Sequence, residues 1–317
     1  MTVITNKTSL LFYGRSGTGK STQARYVAEY VHRRFGKRTR FIALDRGSLW
    51  SPVADLVELG IVDALEFPTN SEFNPFAIMR KLRRGEWPEG GIISAPTPVE
   101  SKGANGATEI KYKTNTKWRS WNEKDSEEIG AYVIDSLTSY ALALMSDAKQ
   151  KNLRAGNEAG STPRNEDGEQ SGTNTISHYG DVHTEVLDAL NSFQMLPIHI
   201  AMFTALEGMG SDDSGGSKRP ALGPDTVGKA INAVIPSRVQ SCFHLGAEGE
   251  GSKRVVKAWY ESHDSEIPAF KWPSKIGLLP TELPAFWKKF PDGNIKLSLE
   301  KGIGEFLEWR DSQREVK

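Results

Sequence analysis

The chain has 317 residues, of which 38% are hydrophobic and 25% charged, a balance typical of a globular protein with a sizeable core. Its 40 Lys and Arg equal its 40 Asp and Glu, which excludes a global basic field, so any nucleic-acid binding must come from a local patch. The single cysteine, Cys242, excludes a disulfide framework and indicates an intracellular, cytoplasmic protein. We find no signal peptide and no bilayer-spanning stretch, and therefore expect no membrane partner.

Short apolar runs alternate with helical spacing along the first half of the chain. We predict strands at 9–13, 41–44, 61–67 and 131–135, and helices at about 20–35, 51–59, 74–85 and 136–153. This alternation is typical of a parallel sheet with helices on both faces.

The remaining segments depart from this alternation. Residues 88–127 are rich in Gly, Pro, Thr, Lys and Trp, and we predict an insertion with a hairpin at 109–113. The polar, Gly-rich stretches 154–176 and 207–220 predict mobile loops. Further predicted elements are a helix at 182–193, a strand at 196–203, a helix at 226–235, a hairpin at 239–245 and 254–260, and a helix near 303–312.

The sequence GRSGTGKS at 14–21 matches the phosphate-binding pattern G-x-x-x-x-G-K-[ST] between a predicted strand and a predicted helix. Its glycines let successive N–H groups converge on a phosphate, and the helix adds the positive end of its dipole. Lys20 would reach the β- and γ-phosphates of ATP, and the Ser21 hydroxyl would bind Mg²⁺. The residues expected to bind the nucleotide are Gly14, Arg15, Ser16, Gly17, Thr18, Gly19, Lys20, Ser21 and Thr22.

Two carboxylates follow neighbouring predicted strands. Asp135 ends the strand AYVID, where it would hold Mg²⁺ through a water molecule; an N-cap for the next helix is the alternative. Asp45 follows FIAL, at the strand edge where ligands bind in such sheets, and is the candidate catalytic base. A simple turn residue is the alternative for Asp45.

The segments GRSGTGKS, FIALDRG and YVIDSLTSY together resemble the RecA/RadA family of P-loop ATPases, and 223–245 resembles phage-encoded RecA-like recombination and single-strand annealing ATPases. The resemblance implies an α/β RecA-like core with a mostly parallel central sheet flanked by helices, an inserted hairpin-like segment and a C-terminal β-hairpin extension. We assign 1–275 to this core and 276–317 to a C-terminal tail with a short helix.

The resemblance also implies an ATP- and Mg²⁺-dependent homo-oligomer, a ring or a filament, that binds single-stranded DNA in the host cytoplasm. The loops 154–176 and 207–220 match the family's DNA-binding loops. Thr204 stands where the family usually has a Gln that senses the nucleotide, and Asp45 stands where it has a Glu. Trp50 would stack on the base. The lysines that could act across a subunit interface are Lys257, Lys271 and Lys275.

In the segment 111–121, cationic residues such as Arg119 alternate with the aromatic residues Tyr112, Trp118 and Trp121. Such a pattern suits single-stranded nucleic acid, and rings packed on the core are the alternative. Two further functions stay open: a P-loop kinase acting on a small molecule or nucleotide, and a slow nucleotide-gated assembly or motor protein.

Overall fold

The computed structural model describes residues 7–44, 51–67, 75–95, 97–102, 108–113, 115–154, 176–212, 219–226, 229–248, 255–259, 287–289, 295–298 and 302–315. The strands are β1 Thr8–Gly14, β2 Arg38–Ala43, β3 Val62–Glu66, β4 Trp87–Pro88, β5 Thr97–Lys102, β6 Thr108–Lys113, β7 Trp118–Arg119, β8 Ile129–Asp135, β9 Ile200–Asp212, β10 Arg219–Asp225, β11 Ser241–Glu248, β12 Val255–Trp259, β13 Trp287–Lys289 and β14 Ile295–Ser298. The helices are α1 Lys20–Phe35, α2 Ala54–Glu58, α3 Pro75–Leu82, α4 Glu123–Glu128, α5 Leu137–Arg154, α6 Ile176–Met195, α7 Lys229–Val234 and α8 Gly302–Glu315.

The central sheet has the strand order β13-β14-β12-β11-β1-β9-β8-β2-β3. The six strands from β11 to β3 are parallel, so their carboxyl ends lie along one edge. Strands β12, β14 and β13 continue the sheet in antiparallel pairing. The predicted α/β fold, with its mostly parallel sheet, flanking helices and antiparallel β11–β12 extension, is confirmed.

Helices cover both faces of the sheet, and alternate residues of each central strand enter different cores. In β1, Leu10 and Phe12 pack with α1 and α8, whereas Leu11 and Tyr13 pack with the opposite layer, which includes α3, α5 and α6. All four side chains are fully buried. This is why the strand reads as one continuous apolar run rather than as an alternating one.

Helix α1 follows the predicted pattern closely. Its buried residues recur at Ala24, Val27, Ala28 and Val31. It ends at Gly36, which is left-handed with φ 64° and whose N–H donates to the His32 carbonyl. A glycine adopts this conformation at little cost, so the predicted helix end is confirmed.

The insertion is anchored to the core by a buried ion pair. Strands β5 and β6 form a hairpin, in which the predicted segment 109–113 is the second strand, and β4 pairs with β7. Helix α4, which the sequence analysis did not predict, begins with a capping box between Asn122 and Asp125. Asp125 accepts a 2.6 Å hydrogen bond from Arg40 of β2, and these side chains are 2% and 1% exposed.

The prediction of a mobile loop over 207–220 is wrong for most of its length. Strand β9 continues to Asp212 and pairs with β10 in an antiparallel hairpin, with Leu206 opposite Asp225. The two strands of this hairpin pair through their backbones. Residues 207–220 are mostly polar and Gly-rich and lack the apolar alternation that predicts a strand, so the sequence pattern indicated a loop. The other predicted loop, 154–176, lies almost wholly outside the described residues.

The predicted C-terminal helix is present as α8, and it packs into the core. Ile303, Phe306 and Leu307 are fully buried in the same cluster as α1. The Ile303 N–H donates to the side chain of Gln23 on α1. The tail helix therefore supports the helix that follows the phosphate-binding loop. No helix in the described part of the chain is long and apolar enough to cross a membrane.

Candidate nucleotide site

The loop between β1 and α1 has the backbone that its glycines predict. Gly17 and Gly19 have φ of 75° and 82°, in the left-handed region that disfavours other residues. Gly14 lies so close to β11 that an added Cβ would be 2.1 Å from the Leu245 carbonyl oxygen. The Thr18 hydroxyl donates to the Arg15 carbonyl at 2.8 Å. These contacts turn the loop back toward the start of α1.

Lys20 lies under this loop. Its ammonium group donates to the carbonyls of Gly14 at 2.9 Å and of Arg15 at 2.8 Å, and the residue is 8% exposed. A buried ammonium needs such acceptors, because desolvation without them is costly. The ammonium group therefore lies against the backbone of the loop that would surround a phosphate.

The predicted metal-binding residues are brought together at the carboxyl edge of the sheet. The Ser21 hydroxyl donates to Asp135 Oδ2 at 2.5 Å. The hydroxyl of Thr204, on the neighbouring strand β9, donates to Asp135 Oδ1. Asp135 is 2% exposed, and its peptide bond to Ser136 is cis. Hydroxyl and carboxylate oxygens are ligands that Mg²⁺ prefers, so this donor set fits the ion.

A second polar chain, which the sequence analysis missed, flanks the loop. Arg15 Nε donates to Glu207 Oε1 at 2.5 Å, and Glu207 Oε2 is 2.9 Å from His244 Nε2. The His244 ring stacks on Tyr13, with ring centroids 4.9 Å apart. Burial of Glu207 opposes its ionisation, but the hydrogen bonds with His244 and Arg15 outweigh burial and lower its pKa. Arg15 belongs to the phosphate-binding motif, but Glu207 on β9 and His244 on β11 belong to no local motif, so their contact with it was not predictable.

The β9–β10 hairpin is attached beside the Asp135 strand. The Thr138 hydroxyl, near the start of α5, accepts from the Leu206 N–H at 2.9 Å and donates to the Asp225 carbonyl. Leu206 and Asp225 are the last pair at the root of the hairpin. One buried hydroxyl thus joins both hairpin strands to the helix that follows Asp135.

Other predicted site residues are placed only in part. Asp45 and Trp50 lie outside the described residues; Leu44, which precedes Asp45, donates its N–H to the Asp135 carbonyl at 2.5 Å. Ser16 is exposed, and Thr22 is half-buried on the first turn of α1. An added Cβ at Gly19 would contact the Thr22 side chain at 3.8 Å.

The aromatic rings of 111–121 that are described pack on the protein. Trp121 lies against Gly85 and Tyr132 and donates to the Ser126 hydroxyl at 2.9 Å. Trp118 is half-buried beneath the Lys81 ammonium. Both rings contribute to the core cluster of the insertion side. The packing alternative therefore describes both of these residues.

Comparison with known proteins gives the following similarities. A KaiC-like protein from Pyrococcus horikoshii OT3 is 13% identical, with a TM-score of 0.40, over 91% of this chain and 88% of that one. The flagellar accessory protein FlaH from Methanocaldococcus jannaschii is 10% identical, with a TM-score of 0.41, over 94% of this chain and 87% of that one. A comparison with curated protein sequences found no match.

The family comparison covers most of the chain. The model of the AAA_24 family, described as an AAA domain, matches residues 6–240. This range includes the phosphate-binding loop, Asp135 and β9, the strand that lies between β1 and β8 in the sheet. On this match the chain belongs to the AAA_24 family of AAA-domain proteins.

Proposed function

We propose that this protein binds and hydrolyses ATP with Mg²⁺ and acts on single-stranded DNA in phage-type recombination, annealing or replication. The main support for ATP binding and hydrolysis is the 2.5 Å hydrogen bond between the side chains of Ser21 and Asp135. It joins the end of the phosphate-binding loop to the acidic end of a separate strand. A chance Gly-rich turn would have no reason to meet a buried carboxylate there.

Each residue of the site has a distinct role in this proposal. Backbone N–H groups of 14–21 and the amino end of α1 bind the phosphates, and Lys20 exchanges its carbonyl partners for phosphate oxygens. Ser21 and Asp135 hold Mg²⁺, which neutralises charge on the phosphates. Asp45 orients the attacking water as the catalytic base, and Trp50 stacks on the base.

Thr204 orients Asp135 in this arrangement. Its hydroxyl donates to the carboxylate oxygen that Ser21 does not contact, so both oxygens are held by hydroxyls. Two such donors, one on each oxygen, fix the plane of the carboxylate. These two hydroxyl contacts thereby preorganise the carboxylate.

The DNA and oligomer parts rest on the family resemblance and on the hairpin. The β9–β10 hairpin begins two residues beyond Thr204 and carries Arg219 at the start of its second strand. Its root is bonded to Thr138, three residues after Asp135. The proposed DNA-contact cations are Arg154, Arg164, Lys218 and Arg219. A ring or filament would place Lys257, Lys271 or Lys275 at a neighbour's nucleotide.

The test is phosphate release from Mg-ATP across protein concentration, with and without single-stranded DNA. We expect hydrolysis that rises faster than linearly with protein and that DNA stimulates. Lys20→Ala should lower the rate by at least about 100-fold while circular dichroism shows an unchanged fold. Absence of hydrolysis in the unmodified chain would contradict the ATPase proposal; hydrolysis with no DNA binding and no DNA stimulation would remove only its DNA part.

A further inference from the structure

Three elements of the candidate site meet at one carboxylate, that of Glu207. Its Oε1 accepts from Arg15 on the phosphate-binding loop, and its Oε2 contacts His244 on β11. Glu207 itself lies on β9, just beyond the root of the β9–β10 hairpin. The side chain is 13% exposed, whereas that of Arg15 is 77% exposed. The carboxylate is therefore fixed on the sheet side, and the arginine is the partner that solvent reaches.

This arrangement places an anion of the protein beside a loop whose chemistry is to bind anions. Arg15 is the second residue of that loop, and its backbone carbonyl also accepts from the Lys20 ammonium. Guanidinium groups bind carboxylates and phosphates by the same donor geometry. A phosphate chain in the loop and the Glu207 carboxylate would repel each other, and both would attract Arg15. ATP, with one more phosphate than ADP, makes this competition stronger.

We propose that Glu207 is an internal competitor for Arg15, so that the guanidinium is exchanged from Glu207 to the phosphates when ATP binds. The exchange rests on the proposed nucleotide-binding function. It makes Arg15 a residue that distinguishes ATP from ADP. It also frees Glu207 Oε1, at the root of the β9–β10 hairpin, to a greater extent with ATP than with ADP, while Oε2 keeps its contact with His244. The hairpin therefore responds to which nucleotide is bound.

The test is the affinity of the full chain for Mg-AMP-PNP and Mg-ADP by isothermal titration calorimetry. Glu207→Gln removes the charge but keeps the size of the side chain, and should tighten AMP-PNP binding by about threefold to fivefold. The gain for ADP should be smaller. Arg15→Gln should weaken AMP-PNP binding, and in that background Glu207→Gln should bring little gain. Higher salt should reduce the effect, because the pair is partly exposed.

Asp55→Asn is the matched control. Asp55 pairs with Arg25 on α1, so the change also converts a carboxylate to an amide and removes a carboxylate partner of an arginine on the helix that follows the loop. It should leave both affinities unchanged. Hydrogen exchange on the unmodified chain provides a second readout: amides 205–208 should exchange faster with AMP-PNP than with ADP.

The outcomes separate the two proposals. An unmodified chain that binds neither nucleotide overturns both of them. Nucleotide binding that Glu207→Gln leaves unchanged or weakens overturns only the competition. An equal gain with and without Arg15 would show simple repulsion between Glu207 and phosphate, and would also overturn the exchange.

Discussion

Ser21 and Asp135 are separated by 114 positions in the chain, yet their side chains share a hydrogen bond of 2.5 Å. The strand order explains the meeting: β9 lies between β1 and β8, and its Thr204 contacts the same carboxylate. A single buried Asp135 therefore connects the phosphate-binding loop with two neighbouring strand ends. The consequences for metal binding can be tested directly.

Asp135→Asn should lower Mg-ATP hydrolysis on the order of 100-fold, because an amide is a poor partner for Mg²⁺ and a metal contributes several kcal/mol. The Mg²⁺ concentration at half-maximal rate should also rise. A magnesium titration of the steady-state rate measures both. An unchanged magnesium dependence would assign Asp135 to helix capping instead.

Thr204→Val should lower the rate less than Asp135→Asn does. Valine removes the hydroxyl that donates to Asp135 Oδ1 but leaves the carboxylate and its bond from Ser21. We expect a loss on the order of tenfold, the cost of one charge-assisted hydrogen bond. The same magnesium titration compares the two variants. A loss as large as that of Asp135→Asn would indicate that Thr204 itself contacts the nucleotide or metal.

Gly14→Ala should destabilise the protein by about 2–3 kcal/mol, because the added methyl group would overlap the Leu245 carbonyl of the paired strand. Gly36→Ala is the control: nothing lies within 4 Å of its added Cβ, so only the left-handed backbone at φ 64° is penalised. That cost is about 1 kcal/mol. Urea unfolding of both variants measures the difference, and equal losses would contradict the close approach of the loop to β11.

Asp125→Asn should destabilise the fold by about 3 kcal/mol, because it leaves the buried Arg40 guanidinium without its anionic partner. Glu128→Gln, on the same helix, breaks pairs with Arg38 and Lys124 that are partly exposed. It should cost less than about 1 kcal/mol. Urea unfolding followed by tryptophan fluorescence reports both, since Trp87 and Trp121 lie over Arg40. Similar losses for the two variants would contradict an anchor at Asp125.

His199 should make stability fall as the pH drops from about 6.5 toward 4. Burial, aided by Lys37, lowers the pKa of this histidine to about 4 from an ordinary value of 6.5. Between these values the unfolded chain binds a proton that the folded chain does not, so acid favours unfolding. His199→Gln should remove this contribution. The unfolding free energy of both proteins at pH 7 and pH 4.5 measures it; an equal pH dependence would contradict the shift.

Local features were predictable where the relevant residues are close in the chain. The strand, loop and helix from Thr8 to Phe35 follow from a continuous apolar run, three glycines and a repeat of buried residues on one helix face. The presence of a hairpin in the insertion was likewise predicted, although 109–113 forms only its second strand. In contrast, helix α4 was missed because all six of its residues are polar and show no apolar periodicity.

Contacts between distant strands were not predictable in the same way. Arg15 and Glu207 are 192 positions apart, and the ion pair forms only because β9 runs beside β1 and extends past it. Gly-rich polar residues in β9 and β10 indicated a loop, whereas backbone pairing makes them a hairpin. Trp121 could have stacked on a base, but Gly85 leaves room for its ring against the core.

The phosphate-binding loop follows from local sequence alone, because glycine conformations, helix start and apolar run are all local properties of residues 8–36. The same kind of pattern indicated that Asp135 ends a buried strand. Which side chains meet at the edge of the sheet depends instead on how the strands are ordered in the fold. Strand order is set by the packing of two helical layers over the whole sheet, so Thr204 reaches Asp135 and Glu207 reaches Arg15 through contacts that no local pattern records.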